Sequence, residues 1–529
     1  IDFSCDCDFG DLDNDGDLDL VHSSYGGAFG GNVPTRLFLN NGAGVFAEFN
    51  PSGFQLTGQT IANGNPGIWC QGNQRADTTN SAGTLCDVAS SALDVDVGDV
   101  DGDFDLDLLH GARQEAPRLF RNLLESGPLA FRDVTGAVFP TNYSSGNGHY
   151  EQEMGDCDLD GDLDIYGLNW QAAVGFNDIT LRNNGAGTFA NLAVMAGSIA
   201  DDNECDFLDY DNDGDLDVYV ANFSGQDRLY RNDFTGTGGF SHSNVTASSM
   251  PPAANVALDA DCADLDQDGD TDVLVSNDSG QPEYYFKNLL NTVDTRIPRI
   301  PNLEQAPART AGTAPTVVRA HVYDNASYYV TWYYPVTLEY RVLPAAAFTG
   351  VAMQASQGQI FRGLIPGSLV GTVEYRVKAV DRMGNVGVSA TKSYVSSCAA
   401  PISYCTAGTT TNGCVATLSA SGTPSASATS GFTLSASNVE GQKQGLFFYG
   451  LAGRNATVWK PGSTSFLCVK SPTQRMTTLA SGGTNNACNG SFSLDWLTWL
   501  AANPAAQGQP LGAGQVFRGL LPGSLVGLV

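Results

Sequence analysis

The chain has 529 residues, 57 Asp and Glu against 26 Lys and Arg, and a formal charge of -31. That length leaves room for three or four domains with buried cores. The charge argues against nucleic-acid binding, which needs clustered Lys and Arg, and no apolar run reaches the roughly 18 residues of a membrane span.

With 61 Gly, 10% aromatic residues and only 16% charged ones, the composition suits a turn-rich all-β protein rather than a charged, disordered one. The chain begins at Ile1. That fits a processed or incompletely covered chain whose export signal is already gone.

One pattern recurs five times in the first 290 residues. It reads DLDNDGDLD from Asp11, DVDGDFDLD from Asp99, DLDGDLD within the run from Asp156, DYDNDGDLD from Asp209 and DLDQDGDTD from Asp264. The starts lie 88, 57, 53 and 55 residues apart. A period of that size signals one supersecondary unit per repeat. Each unit has a short strand before the acidic loop and an apolar strand after it. A third strand ends in Asn (Asn40, Asn122, Asn183, Asn232, Asn288). In four units a Gly-rich turn then leads to an aromatic, Phe46, Phe131, Phe189 or Phe240. Four short strands make one propeller blade. The long first interval holds an insertion at about 50–90 with Cys70 and Cys86. It reads as a disulfide-pinned surface loop, or as a binding loop.

The acidic loops read as cation sites. Their acids are Asp11, Asp13, Asp15, Asp17 and Asp19; Asp99, Asp101, Asp103, Asp105 and Asp107; Asp156, Asp158, Asp160, Asp162 and Asp164; Asp209, Asp211, Asp213, Asp215 and Asp217; and Asp264, Asp266, Asp268, Asp270 and Asp272. Carboxylates at alternate positions converge only if the backbone curls around one point, and Gly at position 6 permits that turn. Hard oxygen ligands in this pattern select calcium, with position 7 supplying a backbone carbonyl. Up to five ions are expected. Flanking strands and a last ligand at position 9 exclude an EF-hand. The second loop is the weakest, because Phe104 replaces the Gly.

These units resemble FG-GAP/VCBS repeats, the calcium-loop repeats of integrin α-subunit heads and of many secreted bacterial proteins. The resemblance covers residues 1–294 and implies a β-propeller, usually of six to eight blades. Five units are visible here.

Upstream of each loop, positions -5 and -3 are always acidic: Asp6 and Asp8, Asp94 and Asp96, Glu151 and Glu153, Glu204 and Asp206, Asp259 and Asp261. Period two places them on one face of the innermost strand. Buried without partners they would cost several kcal/mol each, on the order given for isolated charges. Two readings stand. Asp8, Asp96, Glu153, Asp206 and Asp261 add calcium ligands or accept backbone hydrogen bonds from the next blade, or all ten line a hydrated channel. Cys5, Cys7, Cys205 and Cys262 share the opposite face and read as small hydrophobes.

Residues 295–315 are Pro-rich and read as a linker. Residues 316–397 carry alternating strands, and VEYRVKAVDRMGNVG resembles the late strands of fibronectin type III or bacterial Ig-like modules. Residues 398–529 are Ser-, Thr- and Gly-rich, with Glu440 and Asp495 as their only acids, and read as a second Cys-containing β domain. Short-range disulfides are expected between Cys70 and Cys86, Cys405 and Cys414, and Cys468 and Cys488. The segment at 358–373 recurs at 514–529.

The expected architecture is therefore all-β, a propeller followed by an Ig/fibronectin-like sandwich and a further β module. No nucleophile elbow, zinc-protease or P-loop motif occurs, and the paired acids recur in every unit instead of breaking the repeat once. The expected role is an extracellular, calcium-binding adhesion or structural protein, secreted or on the cell surface. Its partner would be a protein or glycan, with a homo-oligomer or filament as the assembly. The alternative is a carbohydrate-active protein, a propeller lectin or a calcium-dependent polysaccharide lyase. Thirty-five of the 57 acids belong to the five repeated clusters, and the other 22 face 26 bases. The acidity is local to the repeats.

Overall fold

The computed structural model describes residues 4–24, 35–49, 69–71, 92–112, 117–144, 149–170, 177–234, 236, 241–290, 292–325, 335–397, 407–422, 428–452, 454–458, 461–462 and 466–506. The chain is all-β with a few single-turn helices.

The repeat folds as its spacing predicts. Unit 1 is a four-stranded antiparallel meander of Ser4–Gly10, Asp19–Ser24, Arg36–Asn40 and Phe46–Glu48. Unit 2 uses Ala92–Gly98, Asp107–Ala112, Arg118–Asn122 and Phe131–Asp133; unit 3 uses His149–Gly155, Asp164–Asn169, Ile179–Asn183 and Phe189–Val194. Unit 4 uses Asp202–Leu208, Asp217–Asn222, Arg228–Asn232 and His242–Asn244, and unit 5 uses Ala257–Ala263, Asp272–Asn277 and Tyr284–Phe286. The register repeats as well. Gly10 faces Asp19, Gly98 faces Asp107, Gly155 faces Asp164, Leu208 faces Asp217 and Ala263 faces Asp272. In each unit a bulge falls just before or at position -5 of the first strand.

Hydrophobic faces join the units in chain order. Leu12, Val21 and Leu37 of unit 1 pack on Val95, Val97, Leu106, Leu108 and Phe120 of unit 2. Val100, Leu109 and Leu119 then pack on Met154, Leu163 and Ile165. Cys157, Tyr166 and Leu168 meet Cys205, Phe207 and Val218, and Leu208, Tyr219 and Leu229 meet Ala260, Cys262 and Val273. That makes four like junctions.

The two outward faces of the stack are open. The residue two after position 9 is fully buried as Val21, Leu109 and Tyr166 and 1% exposed as Tyr219, yet Leu274 of unit 5 is 45% exposed. Position -2 is buried as Val97, Met154, Phe207 and Cys262, yet Phe9 of unit 1 is 42% exposed. The same side-chain positions are thus core in the middle units and surface at the ends. Among the described residues the five sheets make an arc with four closed junctions.

The insertion adds more than a surface loop. Its Cys70–Gln71 strand pairs in parallel with Phe131–Asp133. Trp69 is fully buried against Phe120 and Phe131 and donates its indole N–H to the Thr35 carbonyl (2.7 Å). The Cys70 and Cys86 pairing lies outside the described residues.

Residues 309–397 form a two-sheet sandwich. One sheet orders Arg309–Thr310, Lys392–Ser397, Gly371–Val380, Val336–Val342 and Thr349–Ala352, with Val386–Val388 also paired to Gly371–Val380. The other orders Thr316–His321, Ile360–Ile365 and Gln354–Gln357. Strict alternation sends Val373, Tyr375, Val377 and Ala379 into the core.

The last module packs Thr417–Gly422, Phe432–Val439 and Gly490–Asp495 with the helix Trp496–Ala502. Asp495 caps that helix by accepting the Thr498 N–H at 2.9 Å. The disulfide here is Cys414–Cys488, across 74 residues. It replaces the expected short-range pairs Cys405–Cys414 and Cys468–Cys488. Cys468 is disulfide-bonded too, but not to Cys488. Strand pairing brings distant segments together, and spacing along the chain carries no trace of that.

Candidate metal sites on the repeat loops

Each loop is built by the same three hydrogen-bonded devices. First, the position-1 Asp accepts the N–H of position 6. The pairs are Asp11 with Gly16 (3.1 Å), Asp99 with Phe104 (2.6 Å), Asp156 with Gly161 (3.0 Å), Asp209 with Gly214 (2.9 Å) and Asp264 with Gly269 (3.3 Å). Second, the position-9 Asp ties the loop's start to the third strand. Asp164 accepts the N–H groups of Cys157 (3.1 Å) and Asn183 (2.9 Å). Asp19, Asp107, Asp217 and Asp272 do the same in their units.

The third device is the strand-ending Asn, whose role the sequence did not reveal. Asn183 donates its side-chain amide to Leu163 O of its own unit (3.0 Å) and to Val100 O of the preceding unit (2.7 Å). Asn122 and Asn232 make the same double clasp, and Asn288 reaches back to Tyr210 O. Among the described residues the Asn40 amide holds Leu18 O of its own unit.

The curl needs left-handed backbone at positions 4 and 6. Asn14, Leu159, Asn212 and Gln267 sit at φ 58–64°, each followed by a Gly at φ 95–103°. Unit 2 reaches the same curl with the residues exchanged, Gly102 at +79° and Phe104 at +68°. A bulky residue there is strained by roughly 1–2 kcal/mol. The Phe104 ring offsets this by stacking on His321 (4.8 Å between centroids) and lying under the Arg319 guanidinium (5.5 Å).

The carboxylates converge. Asp11, Asp13 and Asp15 form one group, Asp99, Asp101 and Asp107 a second, Asp156, Asp158 and Asp164 a third, and Asp209, Asp211 and Asp217 a fourth, each with oxygens within 4.8 Å of one another. Asp103 and Asp105 meet Glu125, a residue with no signal in the repeat. In the fifth loop, Lys287 lies on Asp266 and Asp268. Arg121 and Arg182 hold the same place one residue before the Asn and reach Asp101, and Asp158 with Asp160. Position-7 side chains partly turn away. Asp105 pairs with Arg319, while Asp17 and Asp162 lie against Gly42 and Gly185. Asp213 and Asp268 line their loops without joining the four groups of Asp11, Asp99, Asp156 and Asp209.

The donor set fits calcium. Buried carboxylate oxygens without a hydrogen-bond partner remain on Asp101, Asp156, Asp158, Asp211, Asp215 and Asp270. At Asp156 one oxygen is used by Gly161 and Arg299 while the other is left bare. Burial pushes Asp156 up to about 6, Asp19, Asp103 and Asp209 to about 7, and Asp217 to about 10. A hard divalent cation bound there would supply the missing partner and reverse that shift.

The sandwich and the segment leading into it cover the loops. Arg299 donates to Asp156 (2.7 Å) and Leu159 O (3.1 Å). Arg319 donates to Phe104 O (2.6 Å) and Asp105 (3.2 Å), and His321 lies 3.1 Å from Asp99. Asn325 donates to Asp209, Arg382 to Asp264 O, and the Asp11 N–H to Ser356 O. All five loops are met.

The upstream acids bind the neighbouring unit. Asp6 accepts Val95 N–H (3.0 Å), Asp8 accepts Val97 N–H (3.2 Å), Asp94 accepts Gln152 N–H (3.1 Å) and Asp206 accepts Cys262 N–H (2.8 Å). Asp96, Glu153 and Asp261 line the same central cavity. At position -3, Asp8 and Asp206 thus accept from the next unit, as do Asp6 and Asp94 at position -5, and all ten acids line the one cavity. Cys205 and Cys262 are buried as expected, whereas Cys7 is exposed on the open face of unit 1.

Residues 209–275 match the FG-GAP-like repeat family, a span running from the fourth loop through the fifth. No curated protein matches. Among solved structures, the FN1–FN3 domains of chicken CNTN1 are similar at 10% identity and a TM-score of 0.20, over 56% of this chain and 87% of that one. A fragment of S. aureus TarS aligns at 11% identity and a TM-score of 0.15, over 40% and 63%. Dimeric latent PorU from Porphyromonas gingivalis aligns at 10% identity and a TM-score of 0.16, over 59% and 32%. Likeness this low bears on neither fold nor function.

Proposed function

We propose that this chain is an extracellular, calcium-binding repeat protein that acts in adhesion or as a structural component of a surface or filament assembly. One observation carries the calcium reading. Five loops of different sequence share one curl, and buried carboxylate oxygens in four of them lack any donor. Leaving such oxygens bare costs about 1–3 kcal/mol each, more when they are charged. A shared cation removes that cost at every site.

The FG-GAP-like repeat and the sandwich support an adhesive or structural role, and no feature of the loops supports catalysis. Arg319 and His321 do gather beside one loop, as a lyase would require. His321, however, is 1% exposed and locked between two domains, where no polymer reaches it. No described helix is long and apolar enough to cross a membrane.

Calcium titration by calorimetry, with metal analysis of the dialysed protein, tests the reading. Up to five ions per chain are expected, with dissociation constants of about 10⁻⁴–10⁻³ M, the range of extracellular modules. A chain that retains no calcium and melts identically in excess chelator contradicts it.

A further inference from the structure

Ten carboxylates meet where the five inner strands come together, and the metal loops do not use them. The acids at positions -5 and -3 of every unit line one cavity of about 500 Å³, together with Leu93, Val95, Leu258 and Ala260. Among the described residues no Lys, Arg or His lines it. Glu153 is 7% exposed, and its Oε1 is buried with no hydrogen-bond partner. Burial and mutual repulsion hold Asp94, Glu151, Glu153 and Glu204 well above the usual carboxylate range.

We propose that this cavity binds a flexible organic polycation of the polyamine class. Three features select it over a directly ligated metal ion. Calcium needs six to eight oxygens at about 2.3–2.6 Å, and acids spread over five strands around a space this large do not close to that distance. The acids lie in two layers two residues apart, about 6.6–6.8 Å along the strand. Ammonium groups separated by a few methylenes can address both layers at once. Leu93 and Leu258 interrupt the acids with apolar surface, which suits the methylene stems. An ammonium group also brings the N–H donors that Glu153 lacks.

The test is calorimetric titration of spermidine into the whole chain in excess calcium. One-to-one binding and a raised melting temperature are expected. The triple variant Glu151→Gln, Glu153→Gln, Glu204→Gln keeps side-chain size and touches none of the acids seen bonding the neighbouring strand. It should bind spermidine at least about tenfold more weakly with unchanged calcium stoichiometry. Glu153→Gln alone, the milder variant, should show a smaller loss in the same direction. Absence of spermidine binding in the native chain overturns the proposal. So does equal binding by native chain and variants, which would place the polyamine on the acidic surface at large. Calcium stoichiometry measured on the same samples keeps this outcome separate from the loop sites.

Discussion

Asp19, Asp107, Asp164, Asp217 and Asp272 each hold two backbone N–H groups, one from the start of the loop and one from the Asn that follows the third strand's core. The same residues are written as metal ligands in the sequence, so ligand and scaffold are one group. Burial raises the folded-state carboxyls of Asp19, Asp107, Asp164 and Asp217 above the usual 3.8, Asp19 to about 7 and Asp217 to about 10. The sign follows from linkage. A raised folded pKa means the calcium-free fold binds more protons than the unfolded chain, so its stability falls as pH rises through that range. At the proposed sites calcium would replace the protons. The gap in melting temperature between calcium and chelator should therefore widen from pH 5.5 to pH 8, and a constant gap would contradict the loop chemistry. The Asn clasp gives a second residue-scale prediction. Asn183→Ala leaves two buried carbonyls without a donor and should cost about 2–4 kcal/mol in urea unfolding. Asn40→Ala leaves only Leu18 O without its amide donor and should cost about 1–2 kcal/mol less than Asn183→Ala. The Asp pattern was legible because alternate acids with a Gly have few other uses. The Asn role was not legible, because its second partner lies about 80 residues upstream, in the neighbouring unit.

At the scale of the element, the junction between units is the repeated object. Gly155 sits at a close approach, as Gly10 and Gly98 do in their units, and an added Cβ there would meet the Phe207 ring and Leu216 at 2.9 Å. Units 4 and 5 carry Leu208 and Ala263 at that position, so the glycine contact belongs to the first three units. Gly155→Ala should therefore destabilise by about 1–3 kcal/mol through overpacking. Leu109→Ala, in a closed junction, should cost about 2–5 kcal/mol. Leu274→Ala, at the repeat-equivalent position, should stay within about 0.5–1 kcal/mol, because its site is already wet. Equal costs for Leu109→Ala and Leu274→Ala, read from denaturant midpoints, would show that the fifth face is covered in solution. Strand order and register were legible here, since a fixed acid marks position 9 in every unit. The open ends were not. Phe9 and Leu274 look like core residues in the repeat, and only the absence of a neighbouring sheet makes them surface.

For the whole molecule, the decisive contact is the sandwich on the loop face. Its strands were legible from alternation, but its seat was not, because the contacts join residues 116 or more positions apart, such as Asn325 with Asp209 and Arg319 with Asp105. Arg319 is the strongest single tie. Its side chain is 15% exposed, its partner Asp105 4%, and Glu304 holds the guanidinium from the other side. Removing one member of a buried pair leaves the other charge uncompensated, at about 3–5 kcal/mol. The docked face also shields the Phe104 turn, whose strain is offset only while His321 and Arg319 remain stacked on it. Repeats and sandwich are thus expected to unfold as one cooperative block in calcium. Arg319→Ala should split that block, giving two calorimetric transitions where the native chain gives one, with the repeat transition still shifting on chelation. A single transition in the variant, merely lowered in temperature, would mean that Arg299 and the other loop contacts suffice to hold the domains together.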